Sequence, residues 1–414
     1  MLNIHARELA RTRTFILAGG QGERLQPLTA LRPKPAVSFG GMFRIIDFTL
    51  SNCMHSGMAA VSLLTQYRHE ELHRYLRESW WELWNGSSTE REPLRCLQPM
   101  NGKRYRGTAD AVFQNAELLK DDSEFVLVLA GDHIYRMDYR DLLRQHVETN
   151  ADLTIATVEY PLDQASHFGV VEVDDSLRVA GFEEKPASPR PLPANPSLAL
   201  VSMGVYVFKK SVLLAALRAV CESGIGYDFG HHIIPRLIDS TRSYAYDFRD
   251  EKENTSAYWR DIGTIDAYYA ASMDLVQENP SFDPCPIRHP APRHPLRAQV
   301  HSDSRVAQSV LSPCVRIDGG VEIDRAILLP GVRVGKGARI RRAIVEEGVQ
   351  LPAGFSVGFD LEHDRKKHTV TDSGIVVISQ AASNAKPINL PLVFNSVRTG
   401  TAKSLHVDAV RATA

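Results

Sequence analysis

Three glycines and two cations near the N-terminus have the residue types and the spacing that phosphate chemistry requires. Gly19, Gly20 and Gly22 follow a short apolar run. Arg24 and Lys34 stand on the loop that continues from them. Glycines let the backbone approach a ligand closely, and the exposed N–H groups of such a loop bind phosphate oxygens. Arginine and lysine add positive charge where a polyphosphate would lie. The segment therefore predicts a nucleoside triphosphate site.

The two best-known phosphate-binding patterns fit this loop poorly. A Walker loop needs lysine directly after its last glycine, whereas Glu23 and Arg24 follow Gly22. A dinucleotide fingerprint needs a third glycine, and in the run that starts at Gly20 its place is taken by Leu25. A plain strand and turn with surface charge is the alternative interpretation. The two linked cations, set among prolines, weaken that alternative.

Two aspartates are the candidate metal ligands. Asp132 directly follows an apolar run that is typical of a buried strand, and Asp261 lies far along the chain in a short motif. Mg²⁺ usually takes one or two carboxylates together with phosphates and water, so two distant aspartates can share one ion. His133 is a poorer ligand because Mg²⁺ prefers oxygen. The alternative role for Asp132 is to cap a turn or helix.

The elements that must position these residues alternate between apolar strands and helical patterns over residues 14–277. Strands are predicted at 15–18, 60–64, 125–130, 152–158, 169–173 and 204–208. Helices are predicted at 48–56, 70–77, 109–119, 139–148, 210–220 and 265–277. This alternation predicts a Rossmann-like α/β domain with a mostly parallel sheet. Ligands of such sheets bind at the carboxyl ends of the strands, where the glycine-rich loop lies.

A second pattern begins near residue 298, where apolar residues recur every six positions with two one-residue slips. The series is Leu311, Ile317, Ile323, Leu329, Val334, Ile340, Val345, Leu351 and Val357. A six-residue period predicts a left-handed parallel β-helix, whose flat outer faces often serve oligomerisation. Ordinary sandwich strands would alternate with a period of two. We therefore divide the chain into an arm (1–13), the α/β domain (14–277), a proline-rich linker (278–297), the β-helix (298–380) and a tail (381–414).

Composition narrows the class of protein. The net charge of -1 gives no reason to expect nucleic acid or an anionic membrane as a partner. No apolar run approaches the roughly 20 residues that span a bilayer, and the basic N-terminus lacks the apolar core of a signal peptide. The five cysteines are scattered and odd in number, which favours free thiols in a reducing cytoplasm. We expect a cytoplasmic protein.

The order of the motifs resembles one family. Residues 17–29 with 33–35 are similar to the signature loop of the sugar-nucleotide pyrophosphorylases. Further segments resemble the bacterial glucose-1-phosphate adenylyltransferases (ADP-glucose pyrophosphorylases), namely 39–52, 64–67, 105–112, 129–135, 168–170, 184–186, 202–204, 228–230 and 258–264. The resemblance extends over about residues 14–378. It implies transfer of an adenylyl group from ATP to α-D-glucose 1-phosphate, which activates glucose for bacterial glycogen synthesis, with Mg²⁺ as cofactor.

The resemblance also implies roles for individual residues. The implied catalytic residues are Arg24, Lys34 and Asp132, with Asp132 and Asp261 as the metal ligands. The implied nucleotide contacts are Gly19, Gly20, Gly22, Gln66, Tyr105 and Gly107. The implied glucose 1-phosphate contacts are Tyr105, Gly169, Glu184, Lys185, Ser202 and Asp228. Lys185 is expected to pair with the phosphate of the sugar.

Regulation and assembly are implied as well, with departures from the usual pattern. Many family members carry a lysine of the activator site where this chain has Leu31, and Lys-Asp where it has His231-His232. We expect a small-molecule effector site that includes Arg32, Arg44 and Arg365, although Arg365 also fits a solvated charge run. The family is generally homotetrameric. Three alternatives remain: a relative with another nucleotide or sugar, a non-catalytic regulatory subunit, and an acyltransferase suggested by the six-residue repeats alone.

Overall fold

The computed structural model describes residues 6–85, 94–100, 103–250, 255–278, 280, 282–284, 297–379 and 409–410. Most of the predicted linker and tail lies outside these residues. Within the predicted N-terminal arm, a short helix is followed by the first strand, which begins at Thr12. Of the helices in the described ranges, none is both long enough and apolar enough to cross a membrane.

The α/β part of the chain contains nine helices and fifteen strands within the described residues. The helices are α1 (Ala6–Ala10), α2 (Ile45–His55), α3 (His69–Ser79), α4 (Trp81–Asn85), α5 (Thr108–Gln114), α6 (Tyr139–Glu148), α7 (Lys210–Leu217), α8 (Ile234–Ile238) and α9 (Ile265–Asp274). The strands are β1 (Thr12–Leu17), β2 (Ser38–Phe39), β3 (Phe43–Arg44), β4 (Ala60–Leu64), β5 (Leu94–Leu97), β6 (Phe125–Ala130), β7 (His133–Tyr135), β8 (Leu153–Pro161), β9 (Gly169–Val173), β10 (Val179–Glu184), β11 (Leu198–Lys209), β12 (Ser243–Asp247), β13 (Arg249–Asp250), β14 (Thr255–Ser256) and β15 (Trp259–Asp261).

The central sheet is built around β1. Its main path runs β10-β9-β11-β6-β1-β4-β5, and β8 and β12 are added beside β11. β1 is parallel to both β4 and β6, with Leu17 opposite Leu64 on one side and Ala130 on the other. The loops after these three strands therefore leave the sheet at the same edge, as the sequence predicted. β11 runs antiparallel to β6 and to β8.

Alternating side chains of the sheet fill two cores. Ile16 and Leu129 point into one core, while Phe15 and Val128 point into the other, and all four are fully buried. Successive residues of a strand face opposite sides, so continuous apolar runs are expected where both faces are covered by helices. The strand that carries the glycine-rich loop is therefore rigidly held.

The main difference from the predicted elements concerns β11. The sequence predicted a strand only over 204–208, but the strand begins at Leu198. Its pairing with β8 shifts register between Ser202 and Tyr206, and Gly204 has a φ of 67°. The strand predicted from Gly204 therefore begins six residues earlier and continues through a bulge at that glycine. The predicted helix over 265–277 likewise ends earlier, at Asp274.

The C-terminal part is a parallel β-helix of three narrow sheets. Its strands are β16 (Gln299–Val300), β17 (Arg305–Ala307), β18 (Ser309–Leu311), β19 (Arg316–Ile317), β20 (Glu322–Asp324), β21 (Ile327–Leu328), β22 (Arg333–Val334), β23 (Arg339–Arg341), β24 (Ala343–Val345), β25 (Gln350–Leu351), β26 (Ser356–Val357), β27 (Thr369–Val370) and β28 (Val376–Ile378), with a helix α10 (Leu361–Arg365) and a last strand β29 (Ala409–Val410). Ile317 pairs with Val334, which pairs with Leu351, so these coils are 17 residues long. The last turn is longer, because Ile344 pairs with Val377 and α10 lies between them.

The 17-residue coil explains the slips in the six-residue series. In such a coil, equivalent positions on neighbouring faces are six residues apart at two of the corners. At the third corner they are five residues apart. One member of the predicted series is wrong, because Leu328, not Leu329, pairs with Leu311 and Val345. Leu328 belongs to the interior of the β-helix, whereas Leu329 packs against the α/β domain.

The corners of the coil carry residues with positive φ at the same 17-residue interval. One corner has Gln308, Arg325 and Arg342, with φ of 43°, 46° and 46°. The other two corners have Cys314, Gly331 and Gly348, and Gly320, Gly337 and Gly354. Left-handed conformations of this kind turn the chain sharply and are adopted most readily by glycine.

One outer face of the β-helix is apolar and packs against the α/β domain. Ile327, Ile344 and Val377 share a buried cluster with Phe48 and Tyr268. Tyr269 on α9 also donates a hydrogen bond to the Arg325 carbonyl at 2.7 Å. The β-helix therefore packs against α2 and α9 of the α/β domain.

Candidate active site

A cavity of about 540 Å³ opens at the carboxyl edge of β1 and β6. Its walls include Gly20, Gly22, Arg24, Lys34, Asp132 and Gly263. Five of these six residues were predicted site residues, and the parallel strands bring them together. The edge of the sheet and the loop conformation together create a space of the size that a ligand requires.

The loop needs glycine at position 22. Gly22 has a φ of 65° and precedes a short 3₁₀ turn over Glu23–Leu25. A Cβ atom there would lie 3.1 Å from the Cβ of Lys34 and 3.1 Å from the Cγ2 of Thr29. The Thr29 hydroxyl donates a hydrogen bond to the Gly22 carbonyl at 2.8 Å. The close approach of these two parts of the loop places Lys34 against the glycine-rich turn.

Lys34 is a buried cation held between the two predicted metal ligands. Its Nζ lies 2.9 Å from Asp132 Oδ2 and 2.8 Å from Asp261 Oδ1. Burial alone would lower the pKa of Lys34, but the charges of Asp132 and Asp261 outweigh it and raise that pKa. The pKa of Asp132 is lowered because the positive charges of Lys34 and His133 overcome the opposing effect of burial.

The two aspartates meet because two short strands pair. β7 and β15 are antiparallel, and His133 lies opposite Asp261 in their register. One ligand atom from each of Asp132, His133 and Asp261 can be chosen so that all three lie within 4.8 Å of one another. Asp132 lines the cavity and Asp261 lies close to Asp132, and two neighbouring carboxylates beside a phosphate-binding loop are a donor set that suits Mg²⁺. The residues present therefore fit a divalent cation.

His133 is oriented by its surroundings. Its Nδ1 lies 3.1 Å from the Met203 carbonyl, which is part of the bulge in β11. Its ring makes an edge contact with Trp259 at a centroid distance of 5.1 Å. A carbonyl can only accept, so Nδ1 donates to it and Nε2 faces the aspartates at 3.6 and 3.8 Å.

Arg24 differs from Lys34 because its side chain is exposed on the wall of the cavity. No carboxylate of the described residues pairs with it. Gly263, which the sequence analysis did not single out, leaves room for this guanidinium, since a Cβ there would lie 3.1 Å from Arg24 Nη2 and 2.9 Å from Asp261 Oδ2. The signal for Gly263 was its place two residues after Asp261 in the 258–264 motif.

The other predicted nucleotide contacts gather around Gln66, at the end of β4. The Gln66 side-chain oxygen accepts a hydrogen bond from the Tyr105 backbone N–H at 2.5 Å. A Cβ on Gly19 would lie 3.4 Å from the Gln66 Cβ. The Tyr105 hydroxyl accepts from Asn115 at 3.0 Å, and burial raises the pKa of Tyr105. Gly107 follows within the same segment.

The predicted glucose 1-phosphate contacts form a second group. Glu184 lies opposite Gly169 across β9 and β10, and a Cβ on Gly169 would lie 2.9 Å from the Glu184 carboxylate. Lys185 is 57% exposed, and its Nζ lies 3.2 Å from Glu184 Oε1. Ser202 hydrogen-bonds with the Tyr206 hydroxyl at 3.1 Å. The nearest neighbours of this group therefore include Tyr206.

Tyr206 and Phe229 lie beside this group but were not among the predicted site residues. Their rings stack at a centroid distance of 6.1 Å. Burial raises the pKa of Tyr206, and the charges of Glu184 and Asp228 act in the same direction. Phe229 stood beside Asp228 in a recognised motif, whereas nothing in the sequence marked Tyr206.

Arg32 and Arg44, predicted as effector contacts, are joined by buried carboxylates. Arg32 Nη1 lies 2.5 Å from Glu347 Oε1, and Arg44 Nη1 lies 2.9 Å from Glu71 Oε1. Glu71 also lies 3.6 Å from Arg32 Nε. Burial opposes the charge of Arg32, but Glu347 and Glu71 raise the pKa of Arg32. The charges of Arg32 and Arg44 lower the pKa of Glu347 against its burial.

Arg365, the third predicted effector contact, lies elsewhere in the β-helix domain. It pairs with Glu362 on the same helix α10 at 2.9 Å, and its side chain is 45% exposed. Within the described ranges, no ion pair or hydrogen bond connects Arg365 with Arg32 or Arg44. Leu31 is exposed beside Arg32.

The α/β part of the chain is a nucleotidyltransferase. Residues 13–278 match the family described as nucleotidyl transferase. Residues 297–378 match the family described as GlmU-like, C-terminal hexapeptide. The predicted fold class is confirmed: a nucleotidyltransferase domain is followed by a β-helix of hexapeptide repeats.

Curated relatives narrow the class further. "Glucose-1-phosphate adenylyltransferase 2" of Alkalilimnicola ehrlichii is 40% identical over 393 residues, which cover 89% of this chain and 93% of that protein. "Glucose-1-phosphate adenylyltransferase" of Koribacter versatilis is 41% identical, with 90% and 96% covered. The protein of the same name from Nitrosomonas europaea is 42% identical, with 89% and 92% covered. The chain belongs to the glucose-1-phosphate adenylyltransferase family, as the resemblance predicted.

Proposed function

We propose that this chain transfers the adenylyl group of ATP to α-D-glucose 1-phosphate and releases pyrophosphate. A phosphate oxygen of glucose 1-phosphate forms a bond to the α-phosphorus of ATP, and the bond from that phosphorus to the bridging oxygen of pyrophosphate breaks. The observation that carries the proposal is Lys34, held between Asp132 and Asp261 beneath the glycine-rich loop. ADP-glucose made in this way is the activated donor for glycogen synthesis.

Charge stabilisation is the main contribution we assign to the chain. Lys34 is placed to neutralise charge that develops at the α-phosphate, and the exposed Arg24 is placed to hold the β- and γ-phosphates. The backbone of Gly19, Gly20 and Gly22 is expected to cradle the same phosphates. Fixed cations aimed at the reacting phosphate lower the barrier because they need no reorganisation during the reaction.

Asp132 and Asp261 are the residues we propose as ligands of Mg²⁺. The bound ion would supply positive charge that neutralises the phosphate oxygens. His133 is held beside the two carboxylates by its bond to the Met203 carbonyl.

Binding of the two substrates is assigned to the two groups of residues around the cavity. Gln66, Tyr105 and Gly107 are expected to position the nucleotide. Glu184, Ser202 and Asp228, together with the backbone of Gly169, are expected to bind the sugar hydroxyls, with Tyr105 alongside. Lys185 is largely exposed beside Glu184, and we expect it to pair with the phosphate of the sugar.

The test is an assay of sugar-nucleotide formation with purified protein, glucose 1-phosphate and Mg²⁺. We expect ADP-glucose and pyrophosphate from ATP, and much slower reaction with UTP or dTTP. Asp132→Asn tests the metal role in the same assay, because it keeps the shape of the side chain and removes its charge. Faster turnover with UTP or dTTP would contradict the proposed nucleotide. An unchanged kcat in Asp132→Asn would contradict the metal role.

Several features beyond the reaction stay predictions. They are the homotetramer, regulation by small-molecule effectors at Arg32, Arg44 and Arg365, the division into domains at residues 14–277 and 298–380, and the cytoplasmic location. The same assay, repeated with a panel of phosphorylated and carboxylate metabolites, tests regulation in one series of measurements.

A further inference from the structure

The hydroxyl of Thr108 connects the two groups of proposed substrate-binding residues. Thr108 is the first residue of α5 and directly follows Gly107 on the nucleotide side. Its Oγ1 lies 2.9 Å from Asp228 Oδ2 and 3.0 Å from the backbone nitrogen of Phe229. The Phe229 N–H can only donate, so the hydroxyl accepts from it and gives its single proton to the Asp228 carboxylate.

The same contacts fix both oxygens of the Asp228 carboxylate. Oδ2 accepts from Thr108, and Oδ1 accepts from the backbone N–H of His231 at 3.1 Å. An ionised carboxylate offers about four acceptor positions, so each oxygen keeps capacity for one more donor. Asp228 is therefore held as an acceptor of defined orientation, which is what a site for sugar hydroxyls requires.

The backbone on both sides of Thr108 is clamped to the loop that carries Asp228. The N–H groups of Ala109 and Asp110 both donate to the Tyr227 carbonyl, at 2.8 and 3.2 Å. A Cβ on Gly107 would lie only 2.3 Å from that carbonyl oxygen, so glycine is needed for this approach. The Arg106 guanidinium lies over the Tyr227 ring, 3.7 Å from its centroid.

This segment also reaches the nucleotide side. Three residues before Thr108, the Tyr105 N–H donates to Gln66, which follows strand β4. One short segment thus contacts a proposed nucleotide residue at its start and a proposed sugar residue at its end. Residues 105–110 are a rigid connection between the two binding sites.

We propose that Thr108 is a positioning residue for glucose 1-phosphate, which orients Asp228 toward the hydroxyls of the sugar and ties that orientation to the nucleotide side. The inference rests on the proposed function, because it assigns Asp228 to the sugar. Thr108 itself need not touch either substrate. The hydroxyl proton of Thr108 makes the hydrogen bond that orients Asp228. A hydrogen bond to an ionised acceptor is stronger than one between neutral groups.

The test replaces Thr108 with valine, which keeps the branched shape and removes the hydroxyl. We expect Thr108→Val to raise KM for glucose 1-phosphate by about tenfold, the effect of losing one hydrogen bond to a charged group. We expect kcat and KM for ATP to change by less than about twofold, because the phosphate-binding loop is not altered. Thr108→Ser keeps the hydroxyl and should restore KM to nearly the wild-type value.

A double-mutant cycle with Asp228→Asn separates positioning from a general loss of structure. If Thr108 acts through Asp228, Thr108→Val adds little to the KM of Asp228→Asn. Fully additive effects, an equal rise in KM for ATP, or a failure of Thr108→Ser to recover KM would overturn the inference. If Thr108→Val does not fold, Thr108→Ala enters the same cycle in its place.

The activity of the wild-type protein distinguishes a failure of this inference from a failure of the proposed function. A wild-type protein that makes no ADP-glucose contradicts the proposed function itself. A wild-type protein that makes ADP-glucose while Thr108→Val keeps wild-type kinetics contradicts only the role of Thr108.

Discussion

Arg32 and Lys34 lie two residues apart on one loop. Both pair with carboxylates, but the two ion pairs lie in different surroundings. Lys34 is buried and Arg32 is largely buried, and each cation lies between two carboxylates. Lys34 stands on the wall of a cavity, and its partners follow strand ends of the α/β domain. Arg32 stands between the α/β domain and Glu347 of the β-helix. The loop therefore has one cation that faces the substrate site and one that faces the neighbouring domain.

We expect that contact with a substrate cavity, not charge, separates a catalytic from a structural ion pair. An arginine fork suits a fixed partner with defined geometry, whereas the compact ammonium of lysine can change partners when a phosphate arrives. Removing one member of a closed, buried pair leaves a charge that water cannot reach. Next to an open cavity, water and ions can replace the lost member.

The largest effect is expected for Lys34→Met, which tests the catalytic side of this comparison. We expect kcat to fall by about 10²–10³, as for the loss of a group aimed at developing charge. The thermal midpoint should change less than in Arg32→Met, because the Asp132 side chain is 34% exposed and lies on the wall of the cavity, where solvent ions can reach it. Steady-state kinetics and thermal unfolding of the same preparation measure both. A kcat within tenfold of wild type, together with a large loss of stability, would place Lys34 with Arg32.

The next largest effect is expected for Arg32→Met, which tests the structural side. The change leaves the Glu347 carboxylate buried without its main partner, so we expect the free energy of unfolding to fall by about 3–5 kcal/mol. Turnover at moderate temperature should stay within a few-fold of wild type. Denaturant unfolding measures the loss.

The control for that prediction is the double variant Arg32→Met/Glu347→Met. It removes both charges, so it should regain a large part of the stability that Arg32→Met loses. A single variant as stable as wild type would show that the contact between the domains does not depend on this pair.

The smallest effect is expected in the pH dependence of stability. The pKa of Glu347 is lowered in the folded protein, since the charges of Arg32 and Arg44 outweigh burial. Its stabilising contribution is therefore complete above the pKa of an unfolded glutamate, about 4.3, and is lost as pH falls through the lower folded value. Thermal midpoints of wild type should decline more steeply below about pH 5 than those of Arg32→Met/Glu347→Met. Parallel declines would contradict the assignment.

The sequence predicted one half of the active site directly. The glycine-rich loop and Asp132 both follow apolar strands, and parallel strands deliver their loops to one edge of a sheet. The meeting of Asp132 with Asp261 was not predictable from the residues themselves. It depends on the pairing of β7 with β15, which joins positions more than a hundred residues apart.

The contact between the domains was less predictable still. The sequence predicts an effector role for Arg32, and nothing in the sequence identifies Glu347 as a neighbour of Arg32. That proximity follows from the packing of one β-helix face on Phe48 and Tyr268. The interior of the β-helix was predictable because its period is local, and the single error, Leu329 for Leu328, arose because the coil is one residue shorter than three equal faces.

The corners of the β-helix restrict how this domain can change length during evolution. Positive-φ residues recur at the same interval in all three corners, as in Gly320, Gly337 and Gly354. Duplication or deletion of one 17-residue segment would add or remove a complete coil, about 4.8 Å of height, with every corner preserved. The turn between β24 and β28 is lengthened in another way, because Ile344 pairs with Val377 and the inserted α10 lies between them. Natural length variants of this domain should therefore differ by whole coils or by insertions at the place that α10 occupies here.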